Sequence, residues 1–334
     1  MNKKGKKEAL LRFMERNRKS GGYLLKKEIL KKAFLLARAL LIFGLCFLIL
    51  QPMLNKLSVS FMLEKDLYDP TVVSVPRNFT VDNYKLLIEL MDFWKVLWNS
   101  TWVSGLVSVI QVIFCTLVGY GFARFKFPFK KFWFACVILV IVVPPQTIMS
   151  SLYLNFRFFD IFGLIKMTTG QTLNLQKSIL PYIMLCMGTM GLKSGLYIFM
   201  IRQYFRGVPK ELEEAAYVDG CGNIATFIKI MLPDAKPILI SCFLFSFVWQ
   251  WTDSFYSRMF LGKTSLLSGK LTAITSLLND YLTSLNGAGS KVSIAYGQMM
   301  ISTGMIMAIV PLLLLYLIVQ KGFVESLSQT GIKM

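Results

Sequence analysis

The apolar stretches of this chain contain few side chains that could take part in chemistry. One group of these side chains lies close together in the sequence. The run WQWTD at residues 249–253 places two tryptophans, a glutamine and an aspartate together, and a tyrosine follows at 256. Aromatic rings stack on sugar faces, and amide and carboxylate groups hydrogen-bond to hydroxyls. We therefore predict a substrate pathway that includes Trp249, Gln250, Trp251, Asp253 and Tyr256. An aromatic belt at a membrane interface is the alternative for the rings.

Two further polar positions lie in apolar stretches and are added to the predicted pathway. Gln146 follows Pro144 and Pro145, which break the helical hydrogen-bond ladder and turn freed carbonyls and polar side chains to one side. A simple kink is the alternative. Lys193 lies within GTMGLKSG, where the glycines suit close helix packing. This lysine either faces the pathway, pairs with a carboxylate of a partner or extends along the helix towards the interface.

The residue types that carry enzymatic chemistry are poorly represented. The chain has no histidine, its six cysteines show no CxxC spacing, and no pair of carboxylates lies inside the apolar stretches. Zinc sites, proton shuttles and catalytic triads therefore lack their commonest residue. We predict that this chain is not an enzyme and holds no metal or cofactor of its own.

A polar segment at residues 205–235, between two apolar stretches, reads as a helix-turn-helix. Pro209 suits the start of a first helix, and the glutamates that follow it favour the positive end of the helix dipole. The pair Asp219-Gly220 is expected to end that helix through a positive φ at the glycine. Asn223 is expected to cap the second helix, and Pro233 to end it after Leu232.

The residues of this segment resemble a known motif. Glu214, Ala215, Ala216, Asp219, Gly220, Leu232 and Pro233 match the EAA loop of the permease subunits of binding-protein-dependent ABC importers. The preceding run FMIRQYFRGVPKELEEAA is similar to the carbohydrate, maltose-type branch of that family. The resemblance covers roughly residues 35–334 and is strongest from 197 to 237.

The resemblance implies a set of partners and roles. The seven residues that match the EAA loop would couple this chain to a cytosolic ATPase subunit by sitting in a cleft of that subunit, which would hold ATP and Mg. Two such ATPase subunits, a second permease subunit and an extracellular solute-binding protein would complete the importer. The glycine-rich segment near Asn286, Gly287, Gly289 and Lys291 would reach into the binding protein; a plain flexible linker is the alternative.

Composition alone indicates a membrane protein, because 55% of the 334 residues are hydrophobic and 27 are phenylalanine. We predict an all-α polytopic protein with a basic tail at 1–33 and a transmembrane domain at 34–334. Its six spans are expected at about 34–58, 97–123, 132–156, 178–204, 236–257 and 297–320.

Basic residues set the expected orientation. The first 33 residues hold twelve lysines and arginines, whereas the loop at 59–96 has four against six acidic residues. By the positive-inside rule both termini and the loop at 205–235 are cytoplasmic, in a bacterial plasma membrane. The net charge of +19 is explained by basic residues on the cytoplasmic side, which set the orientation and contact anionic lipid headgroups. We therefore expect no nucleic-acid partner.

An ion- or proton-coupled secondary carrier is the rival class, because such a chain would transport alone. It is expected to show an inverted internal repeat and titratable groups inside the spans. No convincing repeat is visible in this sequence.

Overall fold

The computed structural model describes residues 16–161, 163–262, 265–287, 289 and 291–331, with side-chain surroundings up to residue 322. In these ranges the regular structure is helical, apart from two isolated β-bridges. The predicted all-α class is confirmed. The first 15 residues of the predicted basic tail lie outside the described residues.

The helices are named here in chain order. They are α1 Tyr23–Ser60, α2 Asp82–Met91, α3 Phe93–Arg124, α4 Lys130–Val142, α5 Met149–Arg157, α6 Leu164–Thr169, α7 Leu180–Met187, α8 Ser194–Gly207, α9 Glu211–Val218, α10 Asn223–Thr226, α11 Leu232–Asp234, α12 Lys236–Thr252, α13 Leu267–Thr272, α14 Ile274–Asn286 and α15 Ile294–Gly331.

Helix α3 is the centre of the bundle and packs against α8 and α12. Small residues bring these helices close together. A Cβ atom added at Gly119 of α3 would lie 2.8 Å from Ile201 Cγ2 of α8. A Cβ added at Gly195 of α8 would lie 2.8 Å from both Val137 O and Ile141 Cγ1 of α4. Close approach of this kind increases the dispersion contacts between the helices. These contacts matter in a membrane because the hydrophobic effect does not drive helices together in lipid.

Helix α1 is peripheral. It packs along α15, and no residue of its most apolar 18-residue stretch is buried. Ser60, at its last position, is its buried residue. The apolar side chains of α1 therefore face lipid or another subunit.

Three of the described helices are long and apolar enough to cross a membrane, namely Tyr23–Ser60, Phe93–Arg124 and Ile294–Gly322. Two bent pairs, Lys130–Val142 with Pro145–Arg157 and Asn223–Asp234 with Lys236–Thr252, bring the number to as many as five. The described residues thus support three to five of the six expected spans by length and composition, and the count of six stays a prediction.

The expected fourth span, 178–204, is interrupted. It divides into α7 and α8, and the backbone between them takes positive φ at Thr189 (56°) and Lys193 (62°). Left-handed backbone ends a helix, so the apolar composition that predicts one span here does not produce one continuous helix.

The break predicted at Pro144-Pro145 is confirmed. Helix α4 ends at Val142, a 3₁₀ turn covers Pro145–Ile148, and the chain continues into α5 at an angle of 99°. Proline lacks the N–H that would continue the ladder of α4.

The segment 205–235, called the coupling loop below, contains two helical arms. The first arm, α9, begins at Glu211, two residues after the expected start, and stops before Asp219, with Gly220 at φ 81° as expected. Cys221 N–H donates to Ala216 O (2.9 Å), which completes the helix end.

The expected boundaries of the second arm are wrong at both ends. Gly222 occupies the N-cap and Asn223 is the first helical residue, without a side-chain cap. Pro233 does not end the arm, because a π-helical turn at Phe227–Met231 precedes a new helical segment in which the proline takes a first-turn position. An N–H in the first turn of a helix has no partner inside that helix, so proline is tolerated there.

Candidate functional site

The face that the coupling loop presents to its surroundings is part charged and part apolar. Glu214, Ala215, Asp219 and Gly220 are exposed, as a contact surface requires. Ala216 is only 3% exposed and packs inwards, so of the two alanines matched to the EAA loop, only Ala215 lies on the surface. In the second arm Leu232 is half-buried and Pro233 exposed.

The tip of the loop carries exposed apolar side chains that sequence reasoning missed. Val218, before the turn, is 87% exposed, and Ile224, after it, is 77% exposed. Two valine- or isoleucine-sized groups left in water favour burial against a partner, at roughly 25 cal/mol per Å² of apolar surface. Their position on either side of the Asp219-Gly220 turn is the signal that would have identified them.

A buried ion pair fixes the first arm to the central helix. Glu213 Oε1 accepts a hydrogen bond from the Tyr120 hydroxyl (2.9 Å) and lies 3.3 Å from Arg124 Nε. Arg124 also donates from a terminal nitrogen to Val208 O (2.9 Å). The Arg124 and Glu213 side chains are 7% and 10% exposed. We call Tyr120, Arg124 and Glu213 the clasp.

The clasp joins more than two elements. The Tyr120 ring contacts Phe205 of α8 (5.1 Å between centroids) and Phe227 of the second arm (4.6 Å). The Tyr204 hydroxyl, also on α8, donates to Asp234 O (2.6 Å) and lies 3.1 Å from Asp234 Oδ2 in α11. Both arms of the coupling loop are therefore tied to the membrane helices through specific polar contacts.

Sequence reasoning did not find the clasp. From the sequence, Glu213 is one of the glutamates favoured by the helix dipole, and Arg124 has no predicted role. The one available signal is the i, i+4 spacing of Tyr120 and Arg124, which places a hydroxyl and a guanidinium on one face of α3.

A second polar contact set lies in the middle of the bundle. Gln111 of α3 is fully buried, and its amide nitrogen donates to Leu192 O (2.7 Å) and Ser194 Oγ (2.7 Å). Its amide oxygen accepts from Ser246 Oγ of α12 (2.7 Å). One side chain thus links α3, α12 and the break between α7 and α8.

The structure brings two of the predicted pathway residues together. Lys193, half-buried at the break before α8, places its Nζ 5.0 Å from the ring centroid of Trp249. Trp249 is 44% exposed. A cation over a tryptophan face is an attractive pairing, and both side chains remain accessible.

The other residues of the WQWTD region pack inside the protein. Gln250, Trp251, Asp253 and Tyr256 are all buried, and the Trp251 ring stacks on Phe247 (5.6 Å). Asp253 accepts hydrogen bonds from the Tyr182 hydroxyl (2.6 Å) and from backbone N–H groups of the following turn. These contacts hold the end of α12 against α7 and leave this carboxylate satisfied.

Gln146 lies apart from this group. It is exposed on the 3₁₀ turn Pro145–Ile148, and within the described ranges no hydrogen bond joins it to the other predicted pathway residues. At this turn the chain bends by 99° between α4 and the segment that follows.

The glycine-rich segment after α14 takes positive φ angles, which its glycines allow. Gly287 and Gly289 take φ of 86° and 103°, and Asn286 and Lys291 are exposed. Its base is fixed, because Val292 N–H donates to Asn279 Oδ1 (2.8 Å) and Ser293 shares a hydrogen bond with Tyr68 (2.6 Å). Residues 288 and 290 lie outside the described part of the chain.

The loop at 59–96 is ordered by Asp66. This carboxylate accepts from the side-chain amide (2.5 Å) and the N–H (2.7 Å) of Asn78 and from the N–H of Arg77 (3.1 Å). The hydrogen bond from the Asn78 side chain, and then those from the backbone, lower the pKa of Asp66, although desolvation opposes them. The loop is therefore a structured surface.

Comparison with known proteins adds the family. Residues 115–326 match the family model described as binding-protein-dependent transport system inner membrane component. The arabinooligosaccharides transport system permease protein AraQ of Halalkalibacterium halodurans is 27% identical over 295 residues, covering 86% of this chain and 93% of that protein. The trehalose transport system permease protein SugB of Mycobacterium tuberculosis is 26% identical over 259 residues, covering 78% and 84%.

A solved structure shares the fold. It is a chain of a bacterial ABC transporter involved in the import of the acidic polysaccharide alginate. The TM-score is 0.67 at 19% identity, over 87% of this chain and 97% of that one.

Proposed function

We propose, from the premise that this chain belongs to the family of binding-protein-dependent transport system inner membrane components, that it is a permease subunit of an ATP-driven carbohydrate importer. The observation that carries the proposal is the coupling loop, which has an exposed apolar tip and is attached to the central helix α3 by the clasp. A surface of this kind is suited to receive movement from a partner and to pass it into the bundle.

Carbohydrate is supported as the cargo by relatives and by one local feature. The two relatives compared above are named as permeases for arabinooligosaccharides and trehalose. Trp249 offers a half-exposed aromatic face, with Lys193 beside it. We place these two side chains on the path of the sugar, with Gln146 as a further lining residue and Gln250, Trp251, Asp253 and Tyr256 as the packed wall behind them.

The assembly proposed is one copy of this chain, a second permease subunit, two ATPase subunits that bind ATP and Mg, and an extracellular solute-binding protein. The unpartnered apolar surface of α1 supports a further membrane subunit. The exposed tip of the coupling loop supports a cytosolic partner. The segment from Asn286 to Lys291 is proposed to contact the binding protein.

Orientation follows from charge. Both termini and the coupling loop are proposed to face the cytoplasm of a bacterial cell, with six crossings of the plasma membrane. The twelve lysines and arginines of residues 1–33 and the four at residues 124–131 support this orientation.

The proposed mechanism is alternating access. Closure of the ATPase subunits around ATP moves α9, and the clasp passes that movement to α3 because a buried ion pair resists separation. Gln111 then links the displacement of α3 to α12 and to the break beside Lys193. The coupling loop must contact both nucleotide states of its partner with different geometry, or no work is transmitted.

A secondary carrier acting alone does not fit the family to which the chain belongs, which serves binding-protein-dependent systems. The deciding experiment controls which energy source is available to the transporter. The chain, copurified with its permease and ATPase partners, is placed in proteoliposomes with the binding protein and labelled arabino-oligosaccharide or trehalose. We expect uptake with ATP and none with a proton gradient alone. Uptake by the single chain without nucleotide would overturn the proposal.

A further inference from the structure

Three cations converge where α4 begins and α8 ends. Lys130 is the first residue of α4, and Arg202 and Arg206 lie in the last two turns of α8. The Arg202 guanidinium lies against Phe134, one helical turn after Lys130, and Arg206 is one turn after Arg202 on α8. Like charges gathered at one place repel one another, and a bound anion would relieve that repulsion.

The Lys130 Nζ donates to Phe125 O (2.8 Å) and lies 5.9 Å from the Phe127 ring centroid, but neither neutral partner cancels the positive charge of the cluster. A cation near the C-terminus of a helix is favoured by the helix dipole, which suits Arg206, but a cation at the first position of α4 is disfavoured by the same effect. In the described part of the chain no carboxylate forms an ion pair with Lys130, Arg202 or Arg206. Glu213 and Asp234, two carboxylates at this end of the bundle, already have partners in Arg124 and Tyr204.

Arg202 is the most constrained of the three. Its guanidinium lies 3.8 Å from the ring centroid of Phe134, on α4. Its Nε is buried and has no hydrogen-bond acceptor among the described residues. Stacking on Phe134 fixes the plane of the guanidinium, and a planar, fixed fork is suited to bind phosphate oxygens through two parallel hydrogen bonds.

The surroundings indicate that the phosphate belongs to a lipid. Arg202 lies five residues before the end of α8, about 8 Å along the helix axis at 1.5 Å per residue. Beside it, Phe129, Phe132 and Trp133 of the α4 region are 77%, 61% and 53% exposed. A ligand that meets both features has an anionic headgroup and an apolar tail.

We propose that Lys130, Arg202 and Arg206 form a binding site for the phosphate headgroup of an anionic phospholipid, at the end of the bundle that carries the coupling loop. The bound headgroup neutralises the three cations and links α4 to α8 next to the clasp. This role is separate from transport of the cargo. Basic pockets between membrane helices on the cytoplasmic side are known to recognise anionic headgroups in general.

The test uses the assembled transporter, with its permease and ATPase partners, purified in detergent and offered equal amounts of phosphatidylglycerol and phosphatidylcholine. Retained lipid is counted by native mass spectrometry. We expect preferential retention of phosphatidylglycerol, and a fall of about 5-fold for each of Lys130→Gln, Arg202→Gln and Arg206→Gln. The matched control is Lys95→Gln, an exposed cation in the first turn of α3, at the opposite end of that helix from the clasp, which should leave retention unchanged.

Three results would overturn the proposal. One is equal retention of phosphatidylglycerol by the wild type and the variants. Another is displacement of the lipid by inorganic phosphate, which would indicate a soluble anion as the ligand. The third is loss of the second permease from the variant complexes at unchanged lipid retention, which would indicate a carboxylate of that subunit. If Arg202→Gln fails to assemble, Lys130→Gln and Arg206→Gln provide the same comparison.

Discussion

Replacing Glu213 by glutamine should release the first arm of the coupling loop from α3 while keeping its size and shape. Arg124 then stays 7% exposed without an opposing charge. Removing one member of a buried ion pair typically costs about 3–5 kcal/mol, because the remaining charge is left desolvated. Val208 O still accepts a hydrogen bond from Arg124, so we take the lower end, about 3 kcal/mol.

Amide hydrogen exchange of residues 211–218 in the assembled transporter measures this release directly. A loss of about 3 kcal/mol in local opening free energy corresponds to exchange about 100-fold faster. ATP-driven uptake should fall in parallel, whereas ATP hydrolysis should persist, because the ATPase keeps its own site. The double variant Arg124→Met with Glu213→Met should recover much of the protection, since apolar replacement of both partners is often neutral.

The exposed pair Lys85 and Asp82 is the matched control. Its atoms are 2.9 Å apart, closer than those of the clasp, but both side chains are over 70% exposed. Lys85→Gln should therefore leave exchange of α9 and uptake unchanged. Protection of α9 within 3-fold of wild type in Glu213→Gln, about 0.6 kcal/mol, would refute the view that this ion pair holds the arm.

Three further outcomes are expected. Glu214→Lys should abolish coupled uptake, and so should Gly220→Val, which forces a β-branched residue into φ 81°; both should insert normally, as judged by their amount in the membrane fraction. Gln111→Leu should lower the thermal midpoint of the complex by leaving buried serine hydroxyls unpartnered, at about 1–3 kcal/mol; an unchanged midpoint would show that water replaces the amide. The pKa of Asp66 is lowered in the folded loop, so its stabilising effect is complete above the unfolded value of about 3.9 and is lost as pH falls through the folded value. Exchange of residues 61–80 should then rise only below about pH 4, and Asp66→Asn should weaken that dependence, leaving the part due to Asp69, whose pKa is lowered by hydrogen bonds from Thr71.

Features governed by local backbone chemistry were predictable from the sequence. Pro144-Pro145 had to interrupt α4, and Gly220 had to end α9, because proline lacks an N–H and glycine alone tolerates positive φ without strain. The same reasoning failed at Pro233, because a π-turn upstream changed the register of the helix. Hydrophobicity predicted a span at 178–204 but carries no information on the left-handed backbone at Lys193.

Features governed by distant contacts were not predictable. The partners of Glu213 in the clasp lie 93 and 89 positions earlier in the chain. Asp253 reads in sequence as a free polar group in an apolar stretch, yet Tyr182, 71 positions away, satisfies it. Gln111 is not distinguished by its sequence context, because a single glutamine in a long apolar helix has many unremarkable explanations. Only the fold brings these pairs within hydrogen-bond distance.

Helix α1 spans 38 residues, which at 1.5 Å per residue is about 57 Å, nearly twice the thickness of a hydrocarbon layer. It gains little burial from the described part of its own chain, since it packs mainly along α15 and no residue of its most apolar stretch is buried. Its tilt is then set by whatever surrounds it, because packing against neighbours and interfacial anchors fixes the tilt of a membrane helix. The tilt reported by a spectroscopic label on α1 would therefore depend on the lipids and partner subunits around it, and not on whether the subunit itself has folded.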